Sequence, residues 1–194
     1  MRIIAGLARG LPLTVPRGDA TRPTSDRVRE AIFSSLGARV TAAAVLDLFA
    51  GTGALGLEAI SRGAQSVVFI EQARTALDCL AKNLAGFKPA PTAQIVRGEV
   101  HRELARLTQP FDLIFADPPY GTAPLPMLET VHQRGLLAAG GLFVLESAKR
   151  DAVVLPADWQ LHREAVYGDT RVSYLTLVIP PTPAIDGPGA ISTS

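Results

Sequence analysis

Apolar and polar residues change their spacing repeatedly along this chain. Short apolar, β-branched runs at 45–49, 66–71, 94–98, 111–116 and 141–146 alternate with stretches of helical spacing at 54–62, 73–85, 100–107 and 125–134. That rhythm predicts a parallel sheet with helices on both faces, an α/β fold of the doubly wound kind. Two later runs, 159–167 and 171–179, flank Gly168-Asp169-Thr170 and predict an antiparallel hairpin at the sheet edge.

Ahead of this body, residues 2–16 hold two short apolar pieces around Arg9-Gly10, with Pro12 and Pro16 as breakers, which suits a small hairpin or extended arm. Thr21-Arg22-Pro23-Thr24-Ser25-Asp26 reads as a loop entering a helix, since Thr24, Ser25 or Asp26 can each cap the first N–H groups. Val28, Ala31, Ile32, Ser35 and Leu36 then form one helical face, leaving Arg27, Arg29 and Glu30 largely off it. The segment from Pro180 to Ser194 has four prolines, two glycines and no apolar cluster, so mobility is expected there. The chain thus divides into an N-terminal arm and helix (1–36), a body (37–179) and a tail (180–194).

Composition narrows the class. An apolar content of 47% in 194 residues is enough for a full core. Net charge is only +1, yet residues 1–40 carry seven arginines against Asp19, Asp26 and Glu30, so a +4 arm sits on a body of −3. A basic arm on a mildly acidic body suggests a polyanionic partner met locally. Cys79 is the one cysteine, which excludes an intramolecular disulfide and a zinc cluster and points to a reducing, cytoplasmic setting. The apolar run 3–8 is cut by Arg9 before it reaches signal-peptide length, and no uncharged stretch is long enough to span a bilayer. His101, His132 and His162 are scattered without metal-ligand spacing, so no metal is expected.

The first stretch with chemical content is Val45-Leu46-Asp47-Leu48-Phe49-Ala50-Gly51-Thr52-Gly53-Ala54-Leu55-Gly56. It reads as strand, glycine turn and helix, the first half of a nucleotide site in which a new helix offers unpaired N–H groups. Gly51, Gly53 and Gly56 satisfy the dinucleotide fingerprint, and Glu71 lies twenty residues beyond Gly51, where a ribose-binding acid belongs. Asp47 argues for a different ligand, because a carboxylate at the strand's end would repel a pyrophosphate. It would instead favour S-adenosylmethionine, whose ammonium it can offset. The stretch resembles motif I of the class I methyltransferases. That resemblance implies cofactor contacts from Asp47, Phe49, Ala50, Gly51, Thr52, Gly53, Glu71 and the adjacent Gln72, and from Glu99 and Val100 after the third strand.

The second stretch is Phe111-Asp112-Leu113-Ile114-Phe115-Ala116-Asp117-Pro118-Pro119-Tyr120. An apolar strand delivers an acid, two prolines and an aromatic to the ligand end of the sheet, beside the first strand. It looks like the Asp/Asn-Pro-Pro-aromatic motif of methyltransferases that modify the exocyclic amine of a base. Such an amine is a poor nucleophile, its lone pair being delocalised into the ring. Asp117 and the Pro118 carbonyl can accept its two N–H groups, Pro119 stiffens the turn, and Tyr120 offers a face for an extruded base. Asp117 also borders the cofactor.

Together with Arg2-Ile3-Ile4-Ala5-Gly6, Arg9-Gly10, Thr21-Arg22-Pro23-Thr24, 26–33 and Tyr167-Gly168-Asp169-Thr170, these stretches resemble the bacterial 16S ribosomal RNA guanine-N2 methyltransferase family over about residues 2–179. The resemblance implies a Rossmann-like class I methyltransferase fold: a seven-stranded, mostly parallel sheet with a C-terminal antiparallel hairpin and a small N-terminal extension. It also implies S-adenosylmethionine as donor and a guanine amine of 16S rRNA, met in small-subunit particles, as acceptor. Arg2, Arg9, Arg22, Arg27 and Tyr167 would contact the RNA, with the protein acting as a monomer. Two departures from the family pattern stand out: Leu11-Pro12 follow Arg9-Gly10 where a basic residue is common, and Glu99 replaces the commoner Asp. A DNA amine methyltransferase shares the Asp-Pro-Pro-Tyr motif, and a non-catalytic dinucleotide-binding domain shares the glycine loop.

Overall fold

The computed structural model describes residues 1–16, 26–88, 90–119 and 121–178. Among these residues seven strands form one sheet: β1 (Ala44–Leu48), β2 (Ser66–Glu71), β3 (Ala93–Arg97), β4 (Phe111–Ala116), β5 (Leu137–Ala148), β6 (Trp159–Tyr167) and β7 (Thr170–Leu177). Their order is β3-β2-β1-β4-β5-β7-β6. Strands β1 to β5 run parallel, β7 is antiparallel to β5, and β6 is antiparallel to β7. The chain winds outward from β1 to β3 and then crosses back to β4 on the other side of β1. The crevice beyond the carboxyl ends of β1 and β4 is therefore the switch point where such sheets bind ligands.

Among the described residues five α-helices flank the sheet: α1 (Asp26–Leu36), α2 (Ala54–Ser61), α3 (Arg74–Ala85), α4 (Val100–Leu104) and α5 (Leu125–Gln133). Because successive strand residues face opposite ways, two apolar clusters form. One joins Val45, Val67, Phe69, Phe115 and Val144 to the arm and to α1 and α2. The other joins Leu46, Ile70, Ile114 and Leu145 to α4 and α5.

Most boundaries fall within a residue or two of those read from the sequence, and three features differ. Strand β5 begins four residues earlier than the run at 141–146, since Leu137 pairs with Phe111 before the ladder shifts register near Gly140, whose φ is +75°. A 3-10 turn over Gly37–Val40 links α1 to the sheet. Arg29, placed by its spacing off the packed face of α1, is fully buried. Its guanidinium donates to the Arg2 carbonyl and Asp26, and Nε lies 3.7 Å from the buried Glu58 carboxylate. Glu58 in turn accepts the N–H groups of Ile4 and Ala5 at 2.8 and 3.0 Å and Arg62 Nε at 2.8 Å. One buried carboxylate of α2 therefore holds both the arm and α1 against the body. The expectations for residues 21–25 and for the tail lie outside the described residues.

Candidate active site at the switch point

Strand β1 ends in a conformation only a few residues tolerate. Phe49 (φ +56°), Gly51 (φ +56°) and Gly53 (φ +82°) all adopt the left-handed region, and Phe49 does so despite its Cβ. A Cβ on Gly53 would stand 2.3 Å from Leu80, and one on Gly56 2.3 Å from Phe69, so these glycines let α2 start and pack where it does. The loop is tied from outside as well. Asn83 of α3 donates to the carbonyls of Thr52 and Thr14 at 3.0 Å each, and its Oδ1 accepts the Thr14 N–H at 2.7 Å. Nothing in the spacing of α3 marked Asn83, because an Asn in an amphipathic helix carries no signal of its long-range partners.

This loop opens onto a cavity of about 770 Å³. Its wall includes Asp47, Phe49, Ala50, Gly51 and Thr52 on one side, Glu71, Gln72 and Val100 on another, and Asp117, Pro118 and Pro119 between them and the hairpin. Tyr167 and Thr170 line the far rim, and Met1 and Val28 bring the arm and α1 to it. Gly53 is buried beneath the loop as the first turn of α2 begins. Glu99 is not brought to the wall: it is exposed, and its carboxylate caps α4 by accepting the N–H groups of His101 and Arg102 at 3.1 and 2.9 Å. Slight desolvation of Glu99 is outweighed by these two bonds and the nearby His101, which hold its carboxyl below the ordinary range. Arg2, Arg9 and Arg27 are exposed outside the cavity, while Arg22 and Tyr120 lie outside the described residues.

The electrostatics are those of a cation site. Asp47 is buried, and its Oδ2 accepts the Gly56 N–H at 2.8 Å. Burial above all, with the charges of Asp117 and Glu71 adding to it against that hydrogen bond, pushes its carboxyl up to about 7. A carboxylate so short of solvation gains most from a positive ligand. Glu71 accepts N–H groups from Gly51, Gln72 and Ala73 at 2.7, 2.8 and 2.7 Å, which locks the loop to the end of β2. Its carboxylate still has lone pairs to offer a ribose, so binding and bracing are compatible. These acids fit a ligand with an ammonium and a sulfonium and oppose a pyrophosphate. Among the described residues no group of His, Cys, Asp or Glu is placed to hold a metal.

The comparisons agree with the chemistry. The family described as "Conserved hypothetical protein 95" matches residues 1–176. "Ribosomal RNA small subunit methyltransferase D" of Escherichia coli K12 is 41% identical over 176 residues, covering 90% of this chain and 87% of the relative. The chain belongs to this methyltransferase family. "Putative rRNA methyltransferase YlbH" of Bacillus subtilis is 36% identical, covering 89% of this chain and 97% of the relative. The solved structure "Putative methyltransferase yhhF from Escherichia coli" superposes with a TM-score of 0.82 at 39% identity, covering 91% of this chain and 97% of that one. The protein is accordingly an S-adenosylmethionine-dependent methyltransferase with the class I fold, as the glycine loop and the sheet order had indicated.

Several wall residues were missed by the sequence reading, Glu146 among them. Glu146, near the carboxyl end of β5, is 4% exposed and lines the cavity. The signal was available, since Val144-Leu145-Glu146 ends an apolar run on an acid as the runs before Glu71 and Asp117 do.

Proposed function

We propose that this methyltransferase modifies the exocyclic N2 amine of a guanine in 16S rRNA, within small-subunit particles of the cytoplasm, and acts as a monomer. The observation that supports the reading most directly is the placement of Asp47 and Asp117 in one cavity at the switch point, in a chain whose relatives are named for small-subunit ribosomal RNA. When bound, S-adenosylmethionine supplies a sulfonium methyl that an aligned amine attacks in line. Asp47 holds the ammonium, Glu71 takes the ribose hydroxyls, and the loop at 49–53 with Gln72 and Val100 encloses the remainder. Asp117 and the Pro118 carbonyl accept the two hydrogens of the base amine, so that its lone pair is directed out of the ring and toward the methyl. The stiff Pro118-Pro119 turn fixes that geometry, and Asp117 or water receives the proton that the amine sheds on alkylation. Arg2, Arg9, Arg22 and Arg27 contact phosphates, Tyr120 stacks on the extruded base, and Tyr167 contacts the RNA.

The test is incubation of unmodified small-subunit particles, naked 16S rRNA and duplex DNA with methyl-labelled donor, then nuclease digestion and chromatography. Label in N2-methylguanosine, strongest with the particles, is the expected result. Label in N6-methyladenosine or N4-methylcytidine would sink the guanine assignment, and label only in DNA would remove the ribosomal reading.

A further inference from the structure

The Asp-Pro-Pro turn asks only for a planar base with an exocyclic amine, so adenine, cytosine and guanine all satisfy it. The choice among them must be made by another group in the cavity. In the β4–β5 ladder Phe115 pairs with Val144 and Ala116 with Leu145, and Phe115 and Val144 belong to one apolar cluster. By the two-residue alternation of strands, Glu146 therefore follows Val144 on that same side of β5, and Asp117 is the first residue beyond the end of the neighbouring β4. Both line the cavity, Glu146 on the side away from Asp47 and the glycine loop, toward the hairpin residues Tyr167 and Thr170.

We infer that Glu146 is the guanine-selecting residue of this enzyme, accepting the N1–H of the target base beside the amine held by Asp117. The inference rests on the proposed function. Guanine alone among the three amine-bearing bases presents two adjacent N–H donors, N1–H and N2–H, on its pairing edge. Adenine and cytosine present a ring-nitrogen lone pair next to their amine, which a carboxylate repels. Two carboxylates in one cavity, one just past the end of β4 and one in β5, thus match the donor–donor edge of guanine and oppose the donor–acceptor edge of the others. Burial makes the discrimination sharp, because a mismatched lone pair facing a desolvated acid has no water to relieve it. A carboxylate has about four lone-pair positions, so a contact within the fold is compatible with a further donor from the base.

The experiment uses a 16S rRNA fragment ligated so that the guanosine found methylated by mass spectrometry is replaced by 2-aminopurine. That base keeps the C2 amine but carries a lone pair, not a hydrogen, at N1. Wild-type enzyme should methylate the guanine fragment at least about 100-fold better in kcat/KM. Glu146→Gln, whose amide N–H can donate to N1, should lose on guanine and gain on 2-aminopurine, shrinking the ratio at least tenfold. Because both rates come from one preparation, partial misfolding of the variant cancels. An unchanged ratio in Glu146→Gln, or no preference in the wild type, would overturn the assignment. Wild-type label absent from guanine and present in another base of the rRNA would instead overturn the reading on which it rests.

Discussion

At the scale of single residues, the buried acid of β1 links binding to pH. An aspartate in an unfolded chain ionises at about pH 4, whereas Asp47 holds its proton to about 7 because burial disfavours its charge. Between those values the folded state binds more protons, so this group's contribution to stability declines as pH rises from about 4 to 7 and is constant above. In the proposed binding mode the ammonium of the donor needs the ionised form, so binding would reverse that loss. Affinity measured by calorimetry should strengthen about tenfold from pH 5.5 to 7, with proton release on binding at the acid end. Asp47→Asn should abolish the pH trend and weaken binding at pH 7 by about 1.5–3 kcal/mol. A variant that keeps wild-type affinity at every pH would make Asp47 a brace for Gly56 alone. Asp117→Ala should behave differently, sparing donor affinity while lowering kcat about 100-fold or more, since its proposed partner is the acceptor amine. Glu71 and Asp117 were legible because each ends an apolar run, and Asp47 because it stands just ahead of a glycine loop whose pyrophosphate ligand it would repel. Glu146 carried the first of these marks and was passed over. Glu99 was placed by analogy of position, and the geometry shows a capping role that its short distance to the α4 N-terminus permits.

Among the elements, what the sequence conveyed was periodicity, and what it withheld was long-range pairing. Strands β1 to β4 and the β6–β7 hairpin follow their apolar runs closely, while β5 extends upstream through a ladder irregularity that no period reveals. Arg29 illustrates the limit more sharply. A charged residue in an amphipathic helix is read as solvated, and only the fold brings Glu58 of α2 within 3.7 Å of it. Removing one partner of a buried pair strands the other, at a cost of about 3–5 kcal/mol. Glu58→Ala should lower the urea midpoint accordingly and release the arm, which also loses its bonds at Ile4 and Ala5. Limited trypsin digestion should then cut at the exposed Arg9 before the body is degraded. An unaltered midpoint with an intact arm would mean that Ile3 and Leu13, buried in the same cluster, hold the arm unaided.

For the whole molecule, the uneven charge seen in the sequence has to be corrected for burial before it predicts binding. Arg29 is neutralised internally by Asp26 and Glu58 and so does not count fully toward an external field, whereas the exposed Arg39 keeps its charge while donating to the neutral Gly140 carbonyl. Arg2, Arg9 and Arg27 remain exposed on the arm and α1, the same elements that bring Met1 and Val28 to the cavity. A polyanion lying along this side would be positioned to deliver a base to Asp117, with phosphate contacts fixing register and the cavity reading the base. Each phosphate contact contributes about 0.7 to 0.9 to the slope of log K against log salt, so removing three should reduce that slope by about two to three units. The expected outcome for Arg2, Arg9 and Arg27 replaced together by alanine is therefore weaker binding to 16S rRNA at low salt and a visibly flatter salt dependence. Donor affinity should not change, because none of the three lines the cavity. A slope equal to that of the wild type would assign these arginines to solvation of the arm and move the RNA path elsewhere. Loss of donor affinity in parallel would show that the arm's position, and not its charge, had been disturbed.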